Sequence, residues 1–110
     1  KALGANMDST IVKAGDLYNM LGGTSISWNR GTIKFQESWE TIDHIIIGTS
    51  LFPGAKGLRV KKLGLTIFDA PFLLQKDDVW FGKKPFRTFY GAKYLGGFSD
   101  HLPVYIDLSY

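Results

Sequence analysis

Adjacent acidic and imidazole side chains precede a run of alternating apolar residues near the end of the chain, and this pattern restricts the local structure. Asp100 and His101 are neighbours, and apolar side chains then recur at every second position: Leu102, Val104, Ile106 and Leu108. Side chains two residues apart lie on one face of a β-strand. The spacing therefore predicts a short strand that buries this face and fixes the polar pair at its start.

The segment 41–49 carries a further carboxylate within a mainly apolar strand pattern. Its two faces are Asp43, Ile45 and Ile47, and Ile42, His44 and Ile46. Apolar residues on both faces are typical of a central strand covered on both sides. An ionised Asp43 on such a strand requires a partner. His101 is the obvious candidate, and a structural carboxylate at a strand end is the alternative.

Two ordered motifs resemble one family. Residues 99–104, Ser-Asp-His-Leu-Pro-Val, resemble the closing motif of the endonuclease/exonuclease/phosphatase superfamily, which has the deoxyribonuclease-I-like fold of divalent-metal phosphodiesterases and phosphatases. Residues 39–50 resemble its Trp-x-x-Ile-Asp-x-Ile strand and the Ser-x-Leu turn that follows. Residues 68–74, 83–88 and 91–94 resemble a branch common in Bacteroidetes-type bacteria.

The resemblance implies an α/β (α+β) fold, namely the C-terminal part of a four-layer α/β sandwich with two mixed, mostly antiparallel sheets. The family's metal-binding Glu and Gly-Asp-x-Asn loop have no counterpart here, and the nearest string, at residues 15–18, lacks the Asn. We therefore expect residues 1–110 to be the C-terminal portion of one such domain. Such a piece would expose apolar surface and strand edges, and would tend to self-associate.

Local patterns predict the remaining elements. Apolar positions at helical spacing predict an amphipathic helix over 11–21, ended by a glycine pair. Residues 32–35 are expected to form a hairpin with 41–49 after a reversal at Glu37 and Ser38. Residues 58–69 indicate one strand or two around Gly64. The aromatic-rich segment 70–97 predicts a long ordered loop with short strands near 72–74 and 85–90.

The resemblance also implies roles for the motif residues. Asp43 would orient His101, and this imidazole would contact the scissile phosphate or transfer a proton. Asp100 would help to bind Mg²⁺ or Mn²⁺, which prefer carboxylate and phosphate oxygens. Since one carboxylate holds such an ion weakly, we expect weak or no metal binding by this chain alone. Ser99 is interpreted as a turn former.

Charge is unevenly distributed. Residues 53–96 contain nine Lys or Arg and three Asp, a balance of +6, whereas the remaining residues have a balance of −3. Arg87, Lys83, Lys84 and Lys93 are candidate phosphate contacts, and a solvated loop face is the alternative. Trp39 is a candidate for the substrate edge or for the core.

The leading functional interpretation is a divalent-metal-dependent phosphoesterase acting on a phosphodiester or phosphomonoester. This chain would carry the C-terminal part of its active site and be inactive alone. The resemblance does not select among DNA, inositol phosphate, phospholipid and sugar phosphate. The alternative is a non-catalytic module that binds anionic ligands or nucleic acid through the basic aromatic segment 80–94.

Two further features limit the interpretation. The sequence contains no cysteine, which excludes disulfides and thiolate metal sites. It also has no apolar run as long as the roughly 18–20 residues of a membrane-spanning helix. The compartment is left open, a secreted or periplasmic location included.

Overall fold

The computed structural model describes residues 4–110, which form short strands joined by turns and 3₁₀ helices. In chain order the strands are β1 (Leu17–Asn19), β2 (Ile33–Phe35), β3 (Ser38–Glu40), β4 (Ile46–Gly48), β5 (Arg59–Val60), β6 (Thr66–Ile67), β7 (Leu74–Lys76), β8 (Lys83–Pro85), β9 (Phe89–Tyr90), β10 (Lys93–Tyr94), β11 (Val104–Tyr105) and β12 (Leu108–Ser109). The 3₁₀ helices are Ser9–Ile11, Met20–Gly23, Thr49–Leu51 and Pro71–Leu73.

The chain divides into two units. The first contains the residues up to Ser25, His44–Thr66 and Val104–Tyr110. Its β1 and β4 pair antiparallel with Tyr18 opposite Ile47, and β5 and β12 pair antiparallel with Val60 opposite Leu108. The buried apolar side chains of this unit are Tyr18, Met20, Leu21, Ile47, Val60 and Leu65.

The second unit contains Ile26–Asp43 and Ile67–Pro103. It is built from three antiparallel hairpins, β2–β3, β7–β8 and β9–β10. Its buried residues include Thr32, Ile67, Leu73, Asp77 and Leu102. The candidate site residues Asp43, Asp100 and His101 all belong to this unit.

The helix predicted over 11–21 is wrong. Gly15 has φ 91°, outside helical geometry, and β1 follows in extended conformation. The Asn19 side chain then accepts a hydrogen bond from Leu21 N and begins a 3₁₀ helix. Tyr18, one of the apolar residues of this pattern, is buried in a strand pair and not on a helix face: it is 1% exposed and lies opposite Ile47.

The strand predicted over 41–49 is shorter than expected, and β4 covers only its last part. Side chains still alternate, because Ile47 is 5% exposed whereas Ile42 is 48% exposed. The cover expected on both faces is not formed by residues 4–110. The hairpin after residue 35 is present, but its second strand is β3, and Gln36 at the reversal has φ 54°.

Several other local predictions are confirmed. Two strands, β5 and β6, flank Gly64, and short strands interrupt the 70–97 segment close to the expected positions. The antiparallel hairpins agree with the sheet type that the resemblance implies. These elements are compatible with a small α/β piece, and the four-layer sandwich stays a prediction. Within residues 4–110, no helix has the length and apolar character needed to cross a membrane.

Candidate functional site: a paired aspartate and histidine

Asp43 and His101 form a hydrogen bond across 58 residues of chain. The Oδ2 atom of Asp43 lies 2.8 Å from Nδ1 of His101, and each side chain is 34% exposed. Because an ionised carboxylate can only accept, the hydrogen of this bond belongs to Nδ1, and the neutral ring then presents Nε2 as its acceptor. The contact expected from the sequence is present in the structure, whereas its catalytic role stays a prediction.

Thr32 connects the two chain segments that carry this pair. Its carbonyl oxygen accepts from Leu102 N, next to His101, at 2.7 Å. Its hydroxyl accepts from Ile42 N, next to Asp43, at 3.3 Å, and lies 3.4 Å from Glu40 O, to which it can donate. Thr32 is 0% exposed. A single buried residue therefore contacts the immediate neighbours of both partners.

The turn before His101 is held by backbone contacts. Phe98 N donates to Phe86 O at 2.7 Å, and Gly97 N donates to Arg87 O at 3.2 Å. A Cβ atom at Gly97 would lie 2.1 Å from Phe86 O, so only glycine permits this approach. The Ser99 hydroxyl accepts from His101 N at 3.0 Å, in agreement with its interpretation as a turn former.

Asp100 is the candidate metal ligand. Its side chain is exposed, and its oxygens suit a hard cation such as Mg²⁺. Among residues 4–110, however, no three or more His, Asp or Glu side chains are grouped so that they could hold a metal ion. Asp100 therefore suits one position in a ligand set, and the described residues do not supply a full set.

A cleft of about 800 Å³ contains two of the candidate substrate residues, Trp39 and Lys83. Trp39 is half-buried on β3, and the Lys34 ammonium lies 6.0 Å from its ring centroid. Lys83 is exposed at the start of β8, and its carbonyl oxygen accepts from Lys34 Nζ at 3.2 Å. The cleft also holds the Arg30–Asp69 ion pair at 3.0 Å.

A second cleft, of about 700 Å³, is both basic and aromatic. Lys84 and Arg87 line it with Lys93, and all three lie among the residues expected to contact phosphate. Tyr90 also lines it, and the Arg87 guanidinium lies 5.8 Å from that ring centroid. Neither cleft is lined by Asp43, Asp100 or His101. The candidate phosphate contacts are thus divided between two clefts that the Asp43–His101 pair does not line.

A buried ion pair between Lys34 and Asp77 was not predicted from the sequence. Lys34 Nζ lies 2.9 Å from Asp77 Oδ2, and both side chains are 3% exposed. Lys34 also donates to Phe81 O. Asp77 Oδ1 accepts from Val79 N at 3.2 Å and from Trp80 N at 2.9 Å. These bonds fix the 77–82 loop between β7 and β8, and residues of this loop line both clefts.

The charge of Asp77 is strongly stabilised in the folded protein. Burial raises its pKa, but hydrogen bonds from Trp80 N, the Lys34 ammonium and Val79 N, with the charge of Lys34, lower it to about 2. Asp77 is therefore ionised at neutral pH. The carboxylate is a structural group that holds the loop.

An imidazole that is held by one carboxylate and directly preceded in the chain by a second is an arrangement that acid–base and metal-assisted hydrolases use. Comparison with protein families identifies the group: the model of the Endonuclease/Exonuclease/phosphatase family matches residues 1–110. The chain belongs to this family, which confirms the superfamily resemblance, while the Bacteroidetes branch stays a prediction. Family membership supports a nuclease- or phosphatase-like hydrolase. Searches of curated proteins and of solved structures found no significant match.

Proposed function

We propose that this chain supplies the Asp43, Asp100 and His101 side of the active site of a divalent-metal-dependent phosphoesterase. The observation that carries the proposal is the 2.8 Å contact between Asp43 and His101 in a member of this family. Phosphate-ester hydrolysis requires proton transfer and stabilisation of charge on the phosphate oxygens. An oriented imidazole could transfer the proton, and an exposed carboxylate could help to hold a cation that stabilises the charge.

Asp43 and His101 act as one unit in this proposal. The carboxylate fixes the ring through Nδ1 and stabilises the imidazolium that forms when Nε2 accepts a proton. Nε2 is then the atom that contacts the phosphate or exchanges a proton with the attacking water or the leaving oxygen. Partial exposure of the ring leaves room for a substrate to reach it.

Asp100 would contribute one carboxylate oxygen to Mg²⁺ or Mn²⁺. When bound, such an ion neutralises the negative charge that develops on the phosphate. Since one carboxylate is not a complete site, we propose that further ligands lie outside this chain and that the isolated chain is inactive. The substrate is a phosphate ester, with DNA, inositol phosphate, phospholipid and sugar phosphate as the candidates.

The test is Mg²⁺-dependent hydrolysis of an aryl phosphodiester by the full-length gene product and by residues 1–110 alone. We expect activity only in the full-length protein, and a loss of at least about 100-fold in His101→Ala and Asp43→Asn. His44→Ala is the matched control, because His44 neighbours Asp43 in sequence but lies 3.0 Å from Asn19 instead. A full-length protein inactive on this ester and on phosphomonoester, DNA and lipid substrates would refute the proposal.

The second cleft favours a second candidate function, the binding of an anionic polymer without catalysis. Among the described residues, Lys84, Arg87 and Lys93 form no ion pair with a carboxylate, and Trp80 and Tyr90 line the same cleft. Cations next to aromatic rings are the features with which proteins bind single-stranded nucleic acid.

Salt-dependent binding of a fluorescent single-stranded oligonucleotide tests this second candidate. Loss of one phosphate contact in Arg87→Gln would lower the magnitude of the slope of log K against log salt by about 0.7. Lys62→Gln is the control, because Lys62 is exposed in the first unit and lines neither cleft. Equal slopes for both variants and the unchanged chain would exclude this cleft as the binding site.

A further inference from the structure

Thr32 lies at the junction of the two segments that form the Asp43–His101 pair. One segment ends the β2–β3 hairpin and leads into Asp43, and the other follows the Gly97–Ser99 turn and carries His101. Neither Asp43 nor His101 belongs to a strand ladder, so sheet hydrogen bonds of their own do not set their separation. Other contacts must therefore fix the relative position of these two segments.

Thr32 makes those contacts with different groups. Its carbonyl oxygen holds Leu102 N at 2.7 Å, and its own N–H donates to Glu40 O at 2.8 Å. Its hydroxyl accepts from Ile42 N at 3.3 Å. The hydroxyl is thus the Thr32 group that holds Ile42, the residue next to Asp43, while the main chain of Thr32 holds Leu102 and, further from Asp43, Glu40.

The close approach at this point also requires the residue before Thr32. A Cβ atom at Gly31 would lie 2.5 Å from Glu40 O, so glycine lets the chain before β2 approach the end of β3, which leads into Asp43. Burial excludes water from Thr32, which is 0% exposed. If the hydroxyl is removed, no water can readily take over the Ile42 N–H, and the segment shifts or leaves this donor unsatisfied.

We infer that Thr32 is the positioning residue of the Asp43–His101 pair, acting through its hydroxyl on the Asp43 segment. This inference rests on the proposed function for its catalytic meaning, but the geometry it describes is measurable without activity. Thr32 does not touch the substrate. Its role is to keep the Asp43 carboxylate within hydrogen-bonding distance of Nδ1.

The experiment is NMR spectroscopy of ¹⁵N-histidine-labelled chain 1–110, which follows the Nδ1 proton of His101 and the ¹⁵N shifts of both ring nitrogens. We expect the unchanged chain to show the Nδ1–H tautomer and a slowly exchanging, downfield Nδ1 proton. Thr32→Val, which keeps the shape and removes the hydroxyl, should increase the exchange of that proton with water about fivefold, the factor that one net hydrogen bond represents. Thr32→Ser should retain the signal.

Thr24→Val is the matched control. The Thr24 hydroxyl also bridges backbone groups, since it donates to Met20 O at 2.8 Å and accepts from Leu65 N at 2.9 Å. It belongs to the first unit, whereas Asp43 and His101 belong to the second. Thr24→Val should lower stability while leaving the His101 signals unchanged. A His101 signal that responds equally to both substitutions, or to neither, would overturn the inference.

Hydrogen exchange in the unchanged chain keeps the inference testable if Thr32→Val does not fold. If Thr32 positions Asp43 against His101, one opening step should expose three protons: Ile42 N–H, Leu102 N–H and the His101 Nδ1 proton. Their exchange rates should then depend on urea concentration in the same way. Different opening free energies for these three protons would overturn it. An absence of phosphoesterase activity would count against the proposed function, but it would not change what the NMR and exchange measurements show about Thr32.

Discussion

Replacement of Lys34 by methionine tests how the 77–82 loop is held. The substitution removes the cation but keeps a long apolar side chain, and it leaves the Asp77 carboxylate buried with only its bonds from Val79 N and Trp80 N. Removing one partner of a buried ion pair destabilises a protein by more than the intact pair stabilises it, because the other partner remains as an uncompensated buried charge. The effect should be large for a single substitution.

The magnitude follows from the structure. The difference between the ordinary carboxyl pKa of 3.8 and about 2 in the folded protein corresponds to about 2 kcal/mol at neutral pH. Loss of the Phe81 and Lys83 carbonyl contacts adds to this. We therefore expect Lys34→Met to lower the free energy of unfolding by roughly 3 kcal/mol.

The sign of the pH dependence is fixed by the lowered pKa. Ionised Asp77 contributes stability that is fully present above pH 3.8 and is lost as the pH falls through about 2. The difference between the unchanged chain and Lys34→Met should therefore shrink steadily over this range, because a protonated Asp77 no longer requires a cation.

Urea denaturation followed by tryptophan fluorescence at pH 7 and pH 2.5 provides the measurement. The double variant Lys34→Met with Asp77→Leu should recover part of the loss, because no buried charge is left unpaired. A loss below about 0.5 kcal/mol, the range of exposed ion pairs, would refute the reasoning. So would a loss that is the same at both pH values.

Three further predictions concern the backbone. Gly97→Ala should lower the free energy of unfolding by roughly 2 kcal/mol or more, measured by urea denaturation, because its methyl group would overlap Phe86 O; a neutral result would contradict the close approach. Gln36→Gly should raise the melting temperature because φ 54° strains a side-chain-bearing residue, whereas Gln36→Val should lower it; the reverse order would be inconsistent with this turn. Asn19→Ala should cost about 1 kcal/mol by loss of its hydrogen bond from Leu21 N, and an unchanged urea midpoint would rule out the cap.

The Asp43–His101 contact was predictable because each residue lies in a strong local pattern. A carboxylate among alternating apolar residues requires a partner, and the Ser-Asp-His-Leu-Pro-Val motif supplies one. The two residues could be paired although they lie 58 positions apart, because both belong to motifs of the same family. The phosphoesterase role that the motifs imply remains to be measured.

Other features had weaker or misleading signals. The pattern over 11–21 has helical spacing, but the backbone at Gly15 and the cap at Asn19 favour a turn, a strand and a 3₁₀ helix. The Lys34–Asp77 pair joins residues 43 positions apart that belong to no motif. Only Asp77 had a local signal, because an aspartate at the start of a short loop commonly accepts backbone hydrogen bonds. Which lysine would meet it depended on how the hairpins pack.

The burial of Lys34 has a practical consequence for the chemistry of the chain. Acylating reagents require an accessible amine, and the Lys34 amine, whose side chain is 3% exposed and which is held by a carboxylate and two carbonyl groups, is not accessible. Lys76, which is 84% exposed on the β7–β8 hairpin next to Asp77, should be modified at once. The ratio of modification at these two lysines, read by mass spectrometry, would therefore report how often Lys34 leaves its contacts with the β7–β8 hairpin in the otherwise native protein, without any substitution or added probe.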